Sequence, residues 1–372
     1  MSGLYLHIPF CASRCLYCGF YSTTFRHLRE QYLEALCHEM RLRGCPSIGT
    51  IYLGGGTPSQ LSYEMLRELF NTINEVYSPD YSTCEVTIEC NPDDLTPGYA
   101  MTLAQLPVNR VSLGIQSFDE SRLRFLRRRH TALQAERAVH HLRAAGIHNI
   151  SIDLMFGFPG QTLADLVSDI EKALSLNVEH ISIYSLMYDE GTPMKQMLDN
   201  GEIKEIDEDI YIIMYNTMAD MLESHGYEHY EISNFAKPGF KSRHNSSYWH
   251  DIPYIGIGAG AHSYDGEKRS SNICDIHKYI SSIGKGIIPC ESEVLSERDH
   301  FNDLVTTALR TREGLDMSYV KEKFGTEYID HIHKTAHRHL ANGLLSADKG
   351  HLHLTRSGIA ISDTVMSDLI ML

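Results

Sequence analysis

Long hydrophobic runs are absent from this chain: no apolar stretch approaches the roughly 18 residues that a membrane-spanning helix needs. A secretory signal is absent too, because neither a basic region nor a cleavage site accompanies the first apolar run. Positive charge is scarce, since 33 Lys and Arg stand against 48 Asp and Glu and the net charge is −15. We therefore expect a cytoplasmic protein with no transmembrane segment and no nucleic-acid partner held by its phosphates.

Cysteine is present, but not as a disulfide framework. The chain has nine cysteines, an odd number, and three of them lie close together in Cys11-Ala-Ser-Arg-Cys15-Leu-Tyr-Cys18. In a reducing compartment, clustered thiols indicate metal binding or catalysis. The others show no second C-x2-C spacing. We predict that they are small, buried apolar side chains: Cys37, Cys45, Cys84, Cys90, Cys274 and Cys290.

Short β-type runs alternate with amphipathic helices over residues 1–235. The predicted strands are 4–8, 50–53, 85–89, 110–114, 149–154 and 180–184, and the predicted helices are 29–43, 60–76, 133–145 and 163–176. Strands that alternate with helices of this length form parallel sheets. The pattern predicts an α/β fold, a partial or complete TIM-like parallel barrel whose site lies at the carboxyl ends of the strands.

Two further parts follow the predicted barrel. Residues 236–295 are irregular and rich in Gly, Ser, Tyr and His, and we expect them to form an extension that covers the barrel mouth. Residues 296–372 predict helices at 302–311, 319–324 and 329–342, then a hairpin of strands 344–347 and 351–354. This order is typical of a small helical, winged-helix-like domain. DNA binding, its usual role, is disfavoured here by the negative net charge.

The spacing of the three clustered thiols, C-x3-C-x2-C, follows the first predicted strand directly. Thiolates are soft ligands that suit iron–sulfur clusters or zinc. A closed structural zinc site needs four ligands, whereas a cubane held by three cysteines leaves one iron free for the amino and carboxylate groups of a small molecule. The alternative is a zinc site that a distant Cys, or one of the 21 histidines, completes.

A glycine-rich turn, Gly-Gly-Gly-Thr-Pro at 54–58, closes the second predicted strand. Without Cβ atoms its backbone can approach a ligand closely and adopt positive φ, and Pro58 can open the next helix. A tight turn alone would need only one or two glycines. We therefore expect contact between this turn and a bound ligand.

Polar residues lie at or after the ends of the next strands. Glu89 ends the third strand and could accept hydrogen bonds from ribose hydroxyls; a solvated strand end is the alternative. Gln116 follows the fourth strand. Asp153, in the fifth, is costly to bury unless it is paired or bound. Arg128 is a candidate partner for Asp153 or for a ligand carboxylate; otherwise it is surface.

With these motifs, the chain resembles the radical S-adenosylmethionine proteins of the HemN/HemW group over nearly its whole length. The resemblance implies a partial (β/α)6 barrel with an appended helical domain, and a 4Fe-4S cluster on Cys11, Cys15 and Cys18. It further implies an external one-electron reductant, such as a flavodoxin-type protein, that drives reductive cleavage of S-adenosylmethionine. The residues that it places around S-adenosylmethionine are Tyr5, Tyr17, Gly55, Gly56, Thr57, Glu89, Gln116, Arg128 and Asp153.

Members of this group have two different functions. One is the oxygen-independent coproporphyrinogen III oxidase of haem synthesis, and the other is a haem chaperone that delivers haem to target proteins. The oxidase pattern has a fourth cysteine where this chain has Phe20, and a longer segment before the cluster than the ten residues that precede Cys11. We expect the chaperone function, with haem and a haem-accepting protein as partners. The oxidase is the alternative.

The sequence His-Asn-Ser-Ser-Tyr-Trp at 244–249 matches the H-N-x-x-Y-W motif of the chaperone type. A neutral imidazole nitrogen of His244 could ligate haem iron. Tyr248 and Trp249, the only tryptophan, offer flat apolar surface to a porphyrin. The alternative is a histidine in a loop whose two aromatic residues anchor it to the barrel.

Overall fold

The computed structural model describes residues 1–44 and 47–372, which form a mixed α/β fold around a 12-stranded sheet. The first six strands lie side by side in chain order, and each is parallel to the next. They are β1 (Ser2–Ile8), β2 (Ile48–Gly55), β3 (Glu85–Cys90), β4 (Arg110–Gln116), β5 (Asn149–Phe156) and β6 (His180–Ser185). The six predicted strands are therefore confirmed, as is their parallel sheet.

Helices follow each of these strands. They are α1 (Arg29–Arg43), α2 (Tyr63–Tyr77), α3 (Pro97–Leu103), α4 (Glu120–Phe125), α5 (Ala132–Ala144), α6 (Leu163–Ser175), α7 (Pro193–Asp199) and α8 (Glu208–Ser224). The four predicted helices correspond to α1, α2, α5 and α6. Helices α3, α4 and α7 span only six or seven residues, too few to show a helical period.

The two faces of the parallel strands differ in polarity. On β5, Ile150, Ile152 and Leu154 are at most 1% exposed and pack in the main hydrophobic core. Between them, Ser151 and Asp153 line a cavity on the other face. Because side chains alternate along a strand, one face of the sheet is apolar and the other polar. The polar face is where a ligand can bind.

The sheet does not close within the described residues. Its order is β12-β11-β10-β9-β1-β2-β3-β4-β5-β6-β8-β7, so that β9 lies beside β1 and β8 beside β6. The added elements are β7 (Glu228–Glu231), β8 (Asn234–Ala236), α9 (Arg243–Trp249), β9 (Tyr254–Ile257), β10 (His262–Tyr264), β11 (Lys268–Asn272), α10 (Ile276–Ile283) and β12 (Cys290–Val294). The partial barrel is thus confirmed. Four strands of residues 236–295 extend the β1 edge. The division of the chain at 235 and 295 stays a prediction.

The C-terminal part has a hydrophobic core of its own. It contains α11 (Glu297–Leu309), β13 (Leu315–Asp316), α12 (Met317–Phe324), α13 (Thr326–Ala341), β14 (Leu345–Asp348), β15 (His351–Leu354), α14 (Arg356–Ile359) and α15 (Ser362–Leu369). Phe301 is fully buried among the rings of Phe324 and Tyr328. The predicted helices and hairpin are present, and β13 adds a third strand beside β15. Arg356 donates to Asp220 and Glu223 on α8, joining this part to the barrel.

The cysteines outside the cluster motif do not all behave as predicted. Cys37, Cys84 and Cys90 are buried, but Cys274 and Cys290 are exposed, so the prediction is wrong for those two. Cys290 begins β12, the outermost strand, whose five residues are all exposed, and Cys274 lies in the turn before α10. The prediction for Cys45 lies outside the described residues. Among the helices that the structure describes, none has the length and apolarity to cross a membrane.

Candidate functional site

A cavity of about 610 Å³ lies at the carboxyl ends of β2 to β6 and continues along their polar face. The loop after β1 forms its rim, and Asn245 of α9 contributes to its wall. Polar side chains from alternate strand positions line it. Of the predicted site residues, it brings together Cys11, Cys15, Tyr17, Cys18, Gly55, Gly56, Thr57, Glu89, Gln116, Arg128 and Asp153.

The loop that carries the three thiols is fixed by contacts on several sides. The Cys11 amide donates a 2.9 Å hydrogen bond to the Thr23 carbonyl, and its Sγ lies 3.5 Å from Thr57 Oγ1. Arg128 Nη1 donates to Cys15 Sγ at 3.4 Å. Burial raises the pKa of the Cys11 and Cys18 thiols. The guanidinium beside Cys15 is thus placed to offset thiolate charge.

This donor set fits an iron–sulfur cluster. Three free thiols line one cavity and are soft ligands. The part of the chain that the structure describes has no group of three His, Cys, Asp or Glu side chains placed around one metal ion. The loop therefore presents three thiols to a shared space and does not present a closed site for a single ion.

Arg128 is hydrogen-bonded to groups near the carboxyl ends of β3 and β4 and not to a carboxylate. It donates to Asn91 Oδ1, and its Nη2 lies 2.5 Å from the Gly114 carbonyl oxygen. Arg127, the residue before it, has a φ of +59° and also lines the cavity. Asp153 instead accepts from Ser112 Oγ, 3.2 Å from each carboxylate oxygen. The candidate Arg128–Asp153 ion pair is not formed among the described residues, where the buried Nε of Arg128 also has no partner, so this atom can donate to a ligand carboxylate.

Two carboxyl groups in the cavity have altered acidity. Burial raises the pKa of Glu89 to about 7 and also raises the pKa of Asp153. Glu89 Oε1 accepts a 2.7 Å hydrogen bond from Tyr52, and its Oε2 accepts a 3.2 Å bond from the Gly55 amide. The carboxyl of Glu89 is therefore fixed against the glycine-rich turn, as a residue that receives ligand hydroxyls must be.

Backbone geometry explains two of the predicted positions. Gly55 has a φ of +107°, and a Cβ there would lie 2.5 Å from the His7 ring. Gln116 has a φ of +72° at a register shift between β4 and β5. That bulge turns the Gln116 side chain into the cavity, where its Nε2 lies 3.0 Å from the site of a Cβ on Gly114. Both residues have a positive φ, and both line the cavity.

Tyr5 and His244 are not among the residues that line the cavity. Tyr5 lies behind Tyr52 and contacts His7 Nδ1 through its hydroxyl at 3.1 Å. His244 is 1% exposed, and both ring nitrogens are hydrogen-bonded, Nδ1 with Thr50 Oγ1 at 2.8 Å and Nε2 with the Tyr248 hydroxyl at 2.9 Å. Burial lowers the pKa of His244 to about 3, so the ring is neutral. In this conformation neither nitrogen is free to ligate iron.

Trp249, at the end of α9, is not among the residues that line the cavity at the cluster loop. It lines a separate, shallower cavity of about 450 Å³ together with residues of α11 and α15. The Arg310 guanidinium lies 5.1 Å from the centre of its ring. Helix α9 thus joins the polar face of the sheet to the C-terminal part.

The sequence motifs did not identify several polar residues that line the cavity. These residues are Tyr52, Asn91, Arg110, Ser112, Ser151, Ser182, Tyr184 and Asn245. The signal was present, because polar residues occupy most of the alternate positions of β4, β5 and β6; the exceptions are Gly114 and Met155. In strands buried by helices on one face, such alternation indicates a polar cavity on the other.

Comparisons with known proteins agree with this architecture. The family description "Radical SAM superfamily" matches residues 5–173, and "HemN C-terminal domain" matches residues 295–361. The chain is 36% identical over 372 residues to the protein named Heme chaperone HemW of Bacillus subtilis (strain 168), covering 98% of each. It is 34% identical over 375 residues to the protein of the same name from Lactococcus lactis subsp. lactis, covering 100% of this chain and 97% of that one.

A solved structure shows the same fold. Coproporphyrinogen III oxidase (HemN) from Escherichia coli matches with a TM-score of 0.85 over 99% of this chain and 90% of that one, at 21% identity. Membership of the radical S-adenosylmethionine superfamily implies a 4Fe-4S cluster and S-adenosylmethionine as cofactors. The sequence identity over the full length shows which family the chain belongs to, whereas the structural match shows only the fold. The chain belongs to the HemW family of radical S-adenosylmethionine proteins.

Proposed function

We propose that this chain binds haem and transfers it to acceptor proteins, on a scaffold that binds a 4Fe-4S cluster and S-adenosylmethionine. The observation that carries the proposal is the 36% identity over the whole chain to a protein named Heme chaperone HemW. Phe20 adds support, because the oxidase pattern has a cysteine at this position. The proposed location is the cytoplasm, where free thiols stay reduced.

In this proposal, Cys11, Cys15 and Cys18 hold the cluster. When bound, the cluster supplies the electron that cleaves S-adenosylmethionine reductively, and an external flavodoxin-type protein is the proposed electron donor. The residues proposed to surround S-adenosylmethionine are Tyr17, Gly55, Gly56, Thr57, Glu89, Gln116, Arg128 and Asp153. Tyr5 is proposed to support the site indirectly, because its ring stacks on Tyr52, which lines the cavity. Their tasks are to bind, to orient and to exclude water.

Individual side chains have distinct proposed tasks. Glu89 accepts hydrogen bonds from the ribose hydroxyls. Arg128 supports the charge of Cys15 and is available to a ligand carboxylate, because it has no carboxylate partner among the described residues. Gly55 and Gly56 let the backbone approach the ligand.

His244 is the proposed haem ligand. For it to ligate iron, one of two hydrogen bonds must break: the bond to Thr50 breaks if α9 shifts away from β2, and the bond to Tyr248 breaks if the Tyr248 side chain rotates within α9. Haem and a haem-accepting protein are the proposed partners. We propose no nucleic-acid partner, because a net charge of −15 repels phosphate backbones.

The test uses the full chain, reconstituted anaerobically with iron and sulfide. A haem titration is expected to give a saturable Soret change, and the loaded protein is expected to pass haem to an apo haem protein. The same sample is incubated with coproporphyrinogen III, S-adenosylmethionine and dithionite. Formation of protoporphyrinogen would establish the oxidase alternative. Absence of any Soret change would contradict haem binding.

A further inference from the structure

Arg110 is a buried cation in the cavity that the proposed chemistry does not use. It begins β4, is 2% exposed, and lines the cavity. Gly114, whose carbonyl oxygen receives Arg128, lies four residues further along the strand, which corresponds to roughly 13 Å. The two arginines therefore start from opposite ends of the cavity wall, with Arg128 at the cluster loop and Arg110 at the inner end.

Among the described residues, the Arg110 guanidinium forms no ion pair. Within residues 1–44 and 47–372, its one side-chain hydrogen bond is donated by Nη1 to Asn149 Oδ1 at 3.2 Å, and its buried Nε has no partner. No carboxylate oxygen lies within 4.0 Å of it in the described part of the chain. Burial raises the pKa of Asp153, and Arg110 opposes that rise through space but makes no direct contact with the carboxyl. A buried cation without a carboxylate in contact is costly, because burial removes its hydration without replacing it.

The neighbouring carboxylates have hydrogen-bond partners of their own. Asp153 accepts a hydrogen bond from the Ser112 hydroxyl. The Glu85 carboxylate accepts hydrogen bonds from the backbone N–H groups of Arg243 and His244 at the start of α9. Ser151, Ser182 and His180 at this end carry no negative charge. The hydroxyls of Ser151 and Ser182 line the cavity, and burial lowers the pKa of His180 well below its usual value.

We propose that Arg110 binds a carboxylate of a ligand that shares the cavity with S-adenosylmethionine, and that this carboxylate is a propionate of the porphyrin. The anion supplies a counter-charge in contact with Arg110 and accepts a hydrogen bond from its unpartnered Nε–H. This hydrogen bond is charge-assisted, and the planar guanidinium of Arg matches the geometry of a carboxylate. The identity of the ligand rests on the proposed function. The alternative carboxylate for Arg110 is the α-carboxylate of S-adenosylmethionine.

The test compares protoporphyrin IX with its dimethyl ester, which lacks both carboxylates, by fluorescence titration of the full chain. The wild type is expected to bind the diacid about tenfold or more tightly than the ester, because a hydrogen bond to a charged group has that effect. Arg110→Met is expected to remove this preference by weakening only the diacid. Arg110→Lys, which keeps the charge but loses the planar fork, is expected to be intermediate.

Asn149→Ala is the matched control, because it removes the Oδ1 acceptor of Arg110 but keeps the cation. It is expected to retain the wild-type preference for the diacid. Equal binding of diacid and ester by the wild type, or an unchanged preference in Arg110→Met, would overturn the proposal. If Arg110→Met does not fold, the wild-type comparison and Arg110→Lys decide.

A second arm separates the two sources of carboxylate. Equilibrium dialysis of the reconstituted protein with S-adenosylmethionine and with its decarboxylated form is expected to show the same discrimination in the wild type and Arg110→Met. Loss of that discrimination in Arg110→Met would assign Arg110 to S-adenosylmethionine and overturn the porphyrin assignment. If the wild type binds neither porphyrin, the proposed function fails, while the dialysis still reports whether Arg110 binds a carboxylate.

Discussion

The Tyr52 hydroxyl donates a 2.7 Å hydrogen bond to Glu89 Oε1 across the β2–β3 pair, inside the cavity. Burial nevertheless raises the pKa of Glu89 from 4.5 to about 7, because the hydrogen bonds only partly offset the lost hydration. The folded state therefore holds a proton that the unfolded chain releases between these values. The stability that this proton contributes is complete below pH 4.5 and is lost as pH rises through 7.

Replacing Glu89 with Gln is expected to remove this pH dependence. Relative to Glu89→Gln, the wild type should lose up to about 3 kcal/mol of unfolding free energy between pH 4.5 and pH 7. Urea denaturation of both proteins across this range measures the effect. Glu75→Gln, on the exposed side of α2, is the control and should not relieve the loss. Parallel pH curves for the wild type and Glu89→Gln would contradict the raised pKa.

Gly55→Ala tests whether the glycine-rich turn is required by its geometry. The new Cβ would lie 2.5 Å from the His7 ring at a φ of +107°, so we expect a loss of several kcal/mol in stability and loss of S-adenosylmethionine binding. Gly191→Ala is the matched control, because Gly191 has a φ of +80° but open space around it. The control should lose only the roughly 1–2 kcal/mol of left-handed backbone strain. Denaturation and ligand dialysis measure both.

Local patterns in the sequence predicted most of the fold. The six parallel strands and helices α1, α2, α5 and α6 follow from periodicity, because each buries one regular face. The path of residues 236–295 did not follow in this way. Strand β9 pairs with β1, about 250 positions earlier in the chain, and no local pattern encodes a pairing over such a separation.

The candidate site was predicted best where residues adjoin a strand end. The cluster thiols and the turn at Gly55 and Gly56 carry their own signatures and line the cavity. The partners of Arg128 were not predicted, because Arg128 lies between α4 and α5 whereas Asn91 follows β3 and Gly114 is on β4. The environment of His244 was likewise set by packing of α9 against β2, which a short motif does not report.

The three thiols are expected to be separately necessary for the cluster. After anaerobic reconstitution, Cys11→Ala should lose most of the cluster's visible absorbance and its bound iron, because two thiolates do not hold a cubane firmly. Cys37→Ala is the control, since Cys37 is buried in α1 and does not line the cavity. It should keep wild-type iron content. Equal iron in Cys11→Ala and the wild type would show that another side chain completes the site.

His244 and His180 form a matched pair for testing the haem ligand. Both are at most 1% exposed, and both ring nitrogens of each are hydrogen-bonded, those of His180 with Ser151 and Tyr230. Replacing either histidine with Ala leaves two buried polar partners unsatisfied, so we expect a similar loss of about 2–4 kcal/mol in stability. Structural damage alone would therefore affect the two variants alike.

Haem titration then separates ligation from packing. If α9 moves and His244 ligates the iron, His244→Ala should lose the wild-type Soret shift while His180→Ala keeps it at temperatures where both are folded. His244→Ala should then regain the shift with added imidazole, because the small molecule can enter the vacated position. An unchanged Soret band in His244→Ala, or equal losses in both variants, would assign His244 to anchoring α9 against Thr50. The iron ligand would then have to be another side chain.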